Sequence, residues 1–157
     1  MSARLYSPAS VARLFLYVRE VQPNKGLRVN AIQIWSGGTL GDAWCVEFGW
    51  MVFDVCYQGQ CPFDRVQNSE EFRKLAVKNR WVVTIPMPGD VILSLRADGT
   101  AHHFAICTRV SPLYAIAGNT SEDGSSSEGD RVAEHYVSPV QKLYVRVPAD
   151  VPMQVAA

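Results

Sequence analysis

Asp42-Ala43-Trp44-Cys45-Val46-Glu47-Phe48-Gly49-Trp50-Met51-Val52-Phe53-Asp54 is apolar on nearly every side of a 3.6-residue period. A helix with that pattern is buried in a core and does not lie on a surface. In front of it stands the turn-forming stretch Ser36-Gly37-Gly38-Thr39-Leu40-Gly41-Asp42. The segment therefore reads as a central helix from Cys45 to about Tyr57, which other elements must cover.

Upstream, residues 8–21 read as a helix, with Val11, Leu14, Phe15 and Val18 at helical spacing and Arg13 and Glu20 off that stripe. Pro23-Asn24-Lys25-Gly26 ends it, and a short second helix is expected over 27–35. Downstream, 68–78 fits a helix capped by Asn68 or Ser69, with Glu70 and Glu71 in its first turn. The period then changes. Strands are expected at 81–85, 91–95, 103–110, 113–117 and 143–147, with Pro86–Asp90 as a turn. Helices followed by an antiparallel sheet make an α+β domain, here one domain over residues 1–157. Residues 120–130 are too polar to pack and read as a mobile loop.

Composition removes several classes of function. The chain has 157 residues, 48% of them apolar, and its 15 basic and 15 acidic side chains cancel. That suits one globular core and argues against nucleic acid as a partner, which needs a clustered basic face. The start, Met1-Ser2-Ala3-Arg4-Leu5, lacks the basic-then-apolar pattern of a secretion signal, and no apolar run is long enough to insert in a membrane. The expectation is a protein made in the cytoplasm. The four cysteines (Cys45, Cys56, Cys61, Cys107) form neither a disulfide framework nor paired Cys-x2-Cys zinc ligands, so free thiols, no metal and no cofactor are expected.

Cys45 is the candidate for chemistry. A thiol at a helix start feels the positive end of the helix dipole, which favours thiolate. A catalytic thiolate also needs an imidazole, and the imidazole needs a group that fixes its tautomer. Three histidines are available. In a strand from His103, alternation sets His103, Ala105 and Cys107 on one face and Phe104 and Ile106 on the other, with His102 oriented opposite to His103. A hairpin centred on Ser111 would set His103 across from Asn119, about 5 Å apart on the same face. An Asn carbonyl could then accept from one ring nitrogen while the other faces Cys45. A one-residue slip would break this geometry. Cys107, about 13 Å along the strand, reads as packing. Each residue also has a plainer reading: core thiol, strand-end histidine, turn-forming asparagine.

Several stretches, in order, resemble CHAP-domain peptidoglycan hydrolases. They are Asn24-Lys25-Gly26, Val29-Asn30, Gly41-Asp42-Ala43-Trp44-Cys45-Val46-Glu47-Phe48, Pro88-Gly89-Asp90-Val91-Ile92-Leu93, His103-Phe104-Ala105-Ile106-Cys107, and Gly118-Asn119-Thr120-Ser121 with Glu128-Gly129-Asp130 beyond. The resemblance implies a papain-like α+β fold of CHAP or NlpC/P60 type, with the cysteine at the start of a buried helix packed on an antiparallel sheet that carries the histidine. It implies cleavage of an amide in bacterial peptidoglycan by an amidase or endopeptidase through an acyl-enzyme. Cys45 would be the nucleophile, His103 the base and Asn119 the orienting residue. Many relatives carry a Glu two residues before this Asn, and here that position is Ala117. No calcium-loop pattern of Asp residues accompanies the match.

Without a signal sequence or a wall-binding module, the expected settings are a phage lysin released through a holin-type hole, or an effector injected into a rival bacterium. The second would imply an immunity protein as partner. Two alternatives stand beside the hydrolase: a cell-wall-binding or virion structural module of the same fold with weakened activity, and a cysteine amidohydrolase acting on a non-wall substrate. Trp44 and Trp50 read equally as groove and as core.

Overall fold

The computed structural model describes residues 2–125 and 128–151. Four helices come first: α1 (Pro8–Arg13), α2 (Leu27–Ser36), α3 (Cys45–Cys56) and α4 (Ser69–Lys78). Strands β2 (Val82–Val83), β3 (Val91–Leu95), β4 (Ala101–Val110), β5 (Leu113–Thr120), β6 (Arg131–Tyr136) and β7 (Lys142–Val145) form one antiparallel sheet in the order β2-β7-β3-β4-β5-β6. Two short strands, β1 (Ser2–Ala3) and β8 (Asp150–Val151), pair the chain's two ends. The α+β class read from the sequence is the class observed.

The centre of the fold is α3. Its apolar surface is covered by α1 and α2 and by the inner face of β4 and β5. Phe48, Met51 and Val52 of α3 share one core with Val91, Leu93, Phe104, Ile106 and Ile116 of the sheet. Gly49 provides the closest fit. A Cβ there would overlap the Phe104 ring, which is itself fixed edge-on against Phe72 at 4.9 Å between centroids. The other sheet face carries a smaller cluster that includes Ile92, Ala105, Cys107, Ala115 and Ala117. Strand alternation therefore divides β4 cleanly: Phe104 and Ile106 point in, Ala105 and Cys107 point out.

Polar contacts fix the elements around this core. Asn68 caps α4, its side chain accepting from the Glu71 N–H at 2.9 Å. The Pro88-Gly89-Asp90 turn is tied to β4 by Gly89 N–H to Cys107 O and Cys107 N–H to Asp90 O, both at 2.8 Å. Arg146 donates to both Asp90 carboxylate oxygens, at 3.0 and 2.8 Å. That bidentate pair gives the buried Asp90 the partners a desolvated charge needs.

Three expectations are corrected. The helix over 8–21 stops at Arg13 and continues as turns. Val18 and Glu20 instead give their backbone groups to the chain beside β6, through Val132 N–H to Val18 O and Glu20 N–H to Asp130 O. Leu14, assigned to the buried stripe, is 66% exposed. The strand over 81–85 shrinks to Val82–Val83, because only those two residues pair with β7. β6 was not anticipated: its sequence, Arg131-Val132-Ala133-Glu134-His135-Tyr136, lacks a clean alternation, and pairing with β5 makes it a strand. Ser126 and Ser127 of the expected mobile loop lie outside the described residues. The flanking residues turn through Ser121 Oγ–H and Ser125 N–H, which both donate to Asp123 Oδ1.

Ala is the better helix former, yet Gly49→Ala is expected to lower stability by about 1–3 kcal/mol through its clash with Phe104. Urea unfolding followed by circular dichroism measures this; an unchanged or higher midpoint would contradict the packing described.

Candidate functional site

Cys45 is the first residue of α3, as the sequence suggested, but its thiol is only 7% exposed and belongs to the core. Sγ lies 3.9 Å from the Ser69 hydroxyl at the start of α4. Burial pushes the thiol pKa up. Hydrogen bonding to the Phe104 backbone, to Ser69 and to the backbone at Val46 and Cys45 opposes this without overcoming it. Helix-start stabilisation is thus present, and desolvation is the larger effect. The thiol is protonated at neutral pH.

His103 takes the opposite side. It follows the outward facing of Ala105 and Cys107, while Phe104 points at α3. Its strand partner in β3 is Ser94. The ring is buried, and neither ring nitrogen has a hydrogen-bond partner. Burial, reinforced by His135, His102 and Lys142, pushes its pKa down to about 3, so the ring is neutral. The sheet therefore stands between Cys45 and His103, and among the described residues there is no thiol–imidazole hydrogen bond.

Asn119 is buried at the end of β5 with φ +53°, a left-handed conformation that takes it out of strand alternation. Its backbone oxygen accepts from Gly129 N–H at 3.1 Å, and its side-chain nitrogen has no partner. The expected hairpin register is present in part. Cys107–Ala115 and Ile106–Ile116 pair as a centre on Ser111 requires. Arg109–Tyr114 and Val110–Leu113 pair one step out, and an irregularity between Cys107 and Arg109 absorbs the difference. Pairing between β4 and β5 stops at Ile106–Ile116, and Asn119 does not hold the His103 ring.

His102 departs from its expected orientation for a local reason. Ser94 pairs with His103 and Leu95 with Ala101, so His102 is an extra residue in β4. Such a bulge lets neighbouring side chains share a face. His102 and His103 accordingly line the same cavity, together with Ser94, Ser125, His135 and Lys142. The cavity has a volume of about 380 Å³. No pattern in the sequence announced it, because its lining is spread over β3, β4, β6 and β7, which supply one to three residues each.

Glu47 was also missed. Its carboxylate lies in the first turn of α3 against the Gly37-Gly38 loop, where a Cβ on Gly38 would overlap it. Burial, with Asp42 nearby, raises its pKa from 4.5 to about 7. One oxygen is buried without a partner. Trp44 and Trp50 are both buried, with Trp44 Nε1–H donating to Glu20 at 2.7 Å and Trp50 Nε1–H to Phe63 O at 3.2 Å.

Comparison with protein-family models, with curated proteins and with solved structures gives no match. Among the described residues, no group of three His, Cys, Asp or Glu is arranged to hold a metal ion, and no helix is long and apolar enough to cross a membrane.

Two measurements check this geometry. Iodoacetamide at pH 7 is expected to alkylate Cys45 slowly in the folded chain and at the free-cysteine rate after unfolding, as peptide mass spectrometry would record; fast labelling of the native thiol would contradict its burial. For Glu47, the unfolded chain releases the proton near pH 4.5 and the folded chain near 7. Its stabilising contribution is then complete below 4.5 and lost as pH climbs to 7. Glu47→Gln should therefore gain roughly 1–3 kcal/mol over the parent at pH 8 relative to pH 4. Denaturant titrations at the two pH values read the difference, and an equal effect at both would refute the assignment.

Proposed function

We propose that this chain is a cysteine amidohydrolase of bacterial peptidoglycan, an amidase or endopeptidase of papain-like CHAP type. Cys45 is the nucleophile, His103 the base and Asn119 the orienting residue. The observation that carries the reading is the position of Cys45. It opens a buried helix laid on an antiparallel sheet, and its thiol meets the backbone of Phe104, the residue next to His103. In the reaction the imidazole takes the Sγ proton as sulfur attacks the amide carbonyl and passes it to the departing amine, and water then releases the acyl group and restores the thiol. The Cys45 N–H, at the helix start, is a natural donor to the oxyanion.

Hydrolysis by this route requires an imidazole on the inner side of the sheet. The bulge at His102 is where that exchange can occur. In a strand without the bulge, His102 alternates with Phe104 and faces α3, so a shift of the bulge would turn a histidine from the outer cavity to the inner side. The setting that suits the reading is a phage lysin or an injected effector acting at the cell wall, the latter with an immunity protein as partner.

A second reading is a wall-binding or virion module of the same fold that does not cut. It is favoured by the raised pKa of Cys45 and by Ala117, which packs in the outer apolar cluster where a carboxylate would assist the base.

Purified peptidoglycan incubated with the chain is expected to yield new amide-cleavage termini by mass spectrometry. Cys45→Ala should abolish them, and His103→Gln should reduce them by about 100-fold or more. Loss in His102→Gln with retention in His103→Gln would move the base to His102. Absence of new termini, with the chain still sedimenting on wall material, would decide for the non-cutting module.

A further inference from the structure

The cavity on the outer sheet face carries polar groups beyond the His103 that the proposed hydrolysis uses. Three features define it. First, His103 is buried at its wall with both ring nitrogens unpartnered, and the buried Nδ1 of His135 is unpartnered as well. Buried polar atoms left unpaired cost free energy, and a bound group with complementary polar atoms removes that cost. Second, among the described residues the one formally charged group lining the cavity is a cation. Lys142 is half-buried there and makes no ion pair among the described residues. Asp123, a carboxylate that acts electrostatically on His135, is engaged by Ser121 and Ser125 in its own turn. Third, Ser94 and Ser125 add hydroxyls to the wall, and Gly124 lies so close to the His135 ring that a Cβ would overlap it. That turn closes one side of the cavity without filling it.

A bound metal ion would need the imidazoles to converge beside an ammonium, and Lys142 would repel it. The same set of donors — an ammonium, imidazole N–H groups and hydroxyls — matches an oxyanion. From this we infer that the cavity between β3, β4, β6 and β7 binds a small molecule carrying a carboxylate or phosphate group, held by Lys142 with His103 and His135. With a volume of about 380 Å³, it has room for a small molecule larger than the bare anion. The site lies on the other face of the sheet from the thiol and shares His103 with the proposed hydrolysis.

The test is calorimetric titration of the full chain with inorganic phosphate in one arm and succinate in the other, with histidine ring-proton NMR followed in parallel. Saturable binding in at least one arm is expected, with the His103 and His135 resonances moving along the same isotherm. Lys142→Met and His135→Gln should each weaken it by roughly ten-fold or more, while Cys45→Ala leaves it unchanged. Saturation in only one arm identifies that anion as the recognised chemistry. Lack of saturation in both arms, or a heat that both variants reproduce, would overturn the assignment. The NMR titration of the parent chain is decisive even if a variant fails to fold: an isotherm that moves neither ring refutes the site.

Discussion

The contact between Gly49 and Phe104 governs the rest of the molecule. A buried helix can approach a sheet closely only where a side chain on one matches a gap on the other. Here the gap is a glycine in the middle of α3, and the Phe104 ring fills it with its other edge against Phe72. Once Phe104 points inward, the two-residue period of β4 leaves no choice for its neighbours. Ala105 and Cys107 go to the outer cluster and His103 goes with them. One packing contact thereby separates the thiol from the imidazole that the proposed reaction pairs with it.

The separation gives the two sides of the sheet different chemistry. On the inner side Cys45 sits among aromatic and branched side chains, and desolvation keeps its proton on. On the outer side the side chains are small, and Ala105 beside His103 leaves space that Lys142 and the histidines border. The same physical effect, loss of water, acts in opposite directions on the two groups: it holds the thiol neutral by raising its pKa and holds His103 neutral by lowering it. A thiolate–imidazolium pair is the state that both burials disfavour, and bringing the two groups together is what would reverse that.

Much of the architecture was legible because its signals are local. The all-round apolar run marked α3, the Asn68 and Glu70-Glu71 pattern marked α4, and the Pro-Gly-Asp turn marked the start of β3. The parts that were not legible depend on partners distant in the chain. Val18 and Glu20 leave the helix because Val132 and Asp130 take their backbone groups. Residues 131–136 become a strand because β5 is there to pair with them. At the site, the place of Cys45 at a helix start was readable. The hairpin centre on Ser111 held for Ile106–Ile116 and Cys107–Ala115. The bulge at His102 and the left-handed Asn119 were not readable, since neither residue type demands that conformation.

By itself the sequence determined which segments are helix and which are strand wherever periodicity, caps and turns speak locally, and it singled out Cys45, His103 and Asn119 as the residues with chemistry to offer. Only the tertiary structure decided which side of the sheet each of them faces. Facing is set by a one-residue choice of bulge and by which neighbouring side chain wins the place against α3. Phe104 wins it because burying an aromatic ring beside Gly49 is favourable and leaves no ring nitrogen to satisfy among the apolar side chains there.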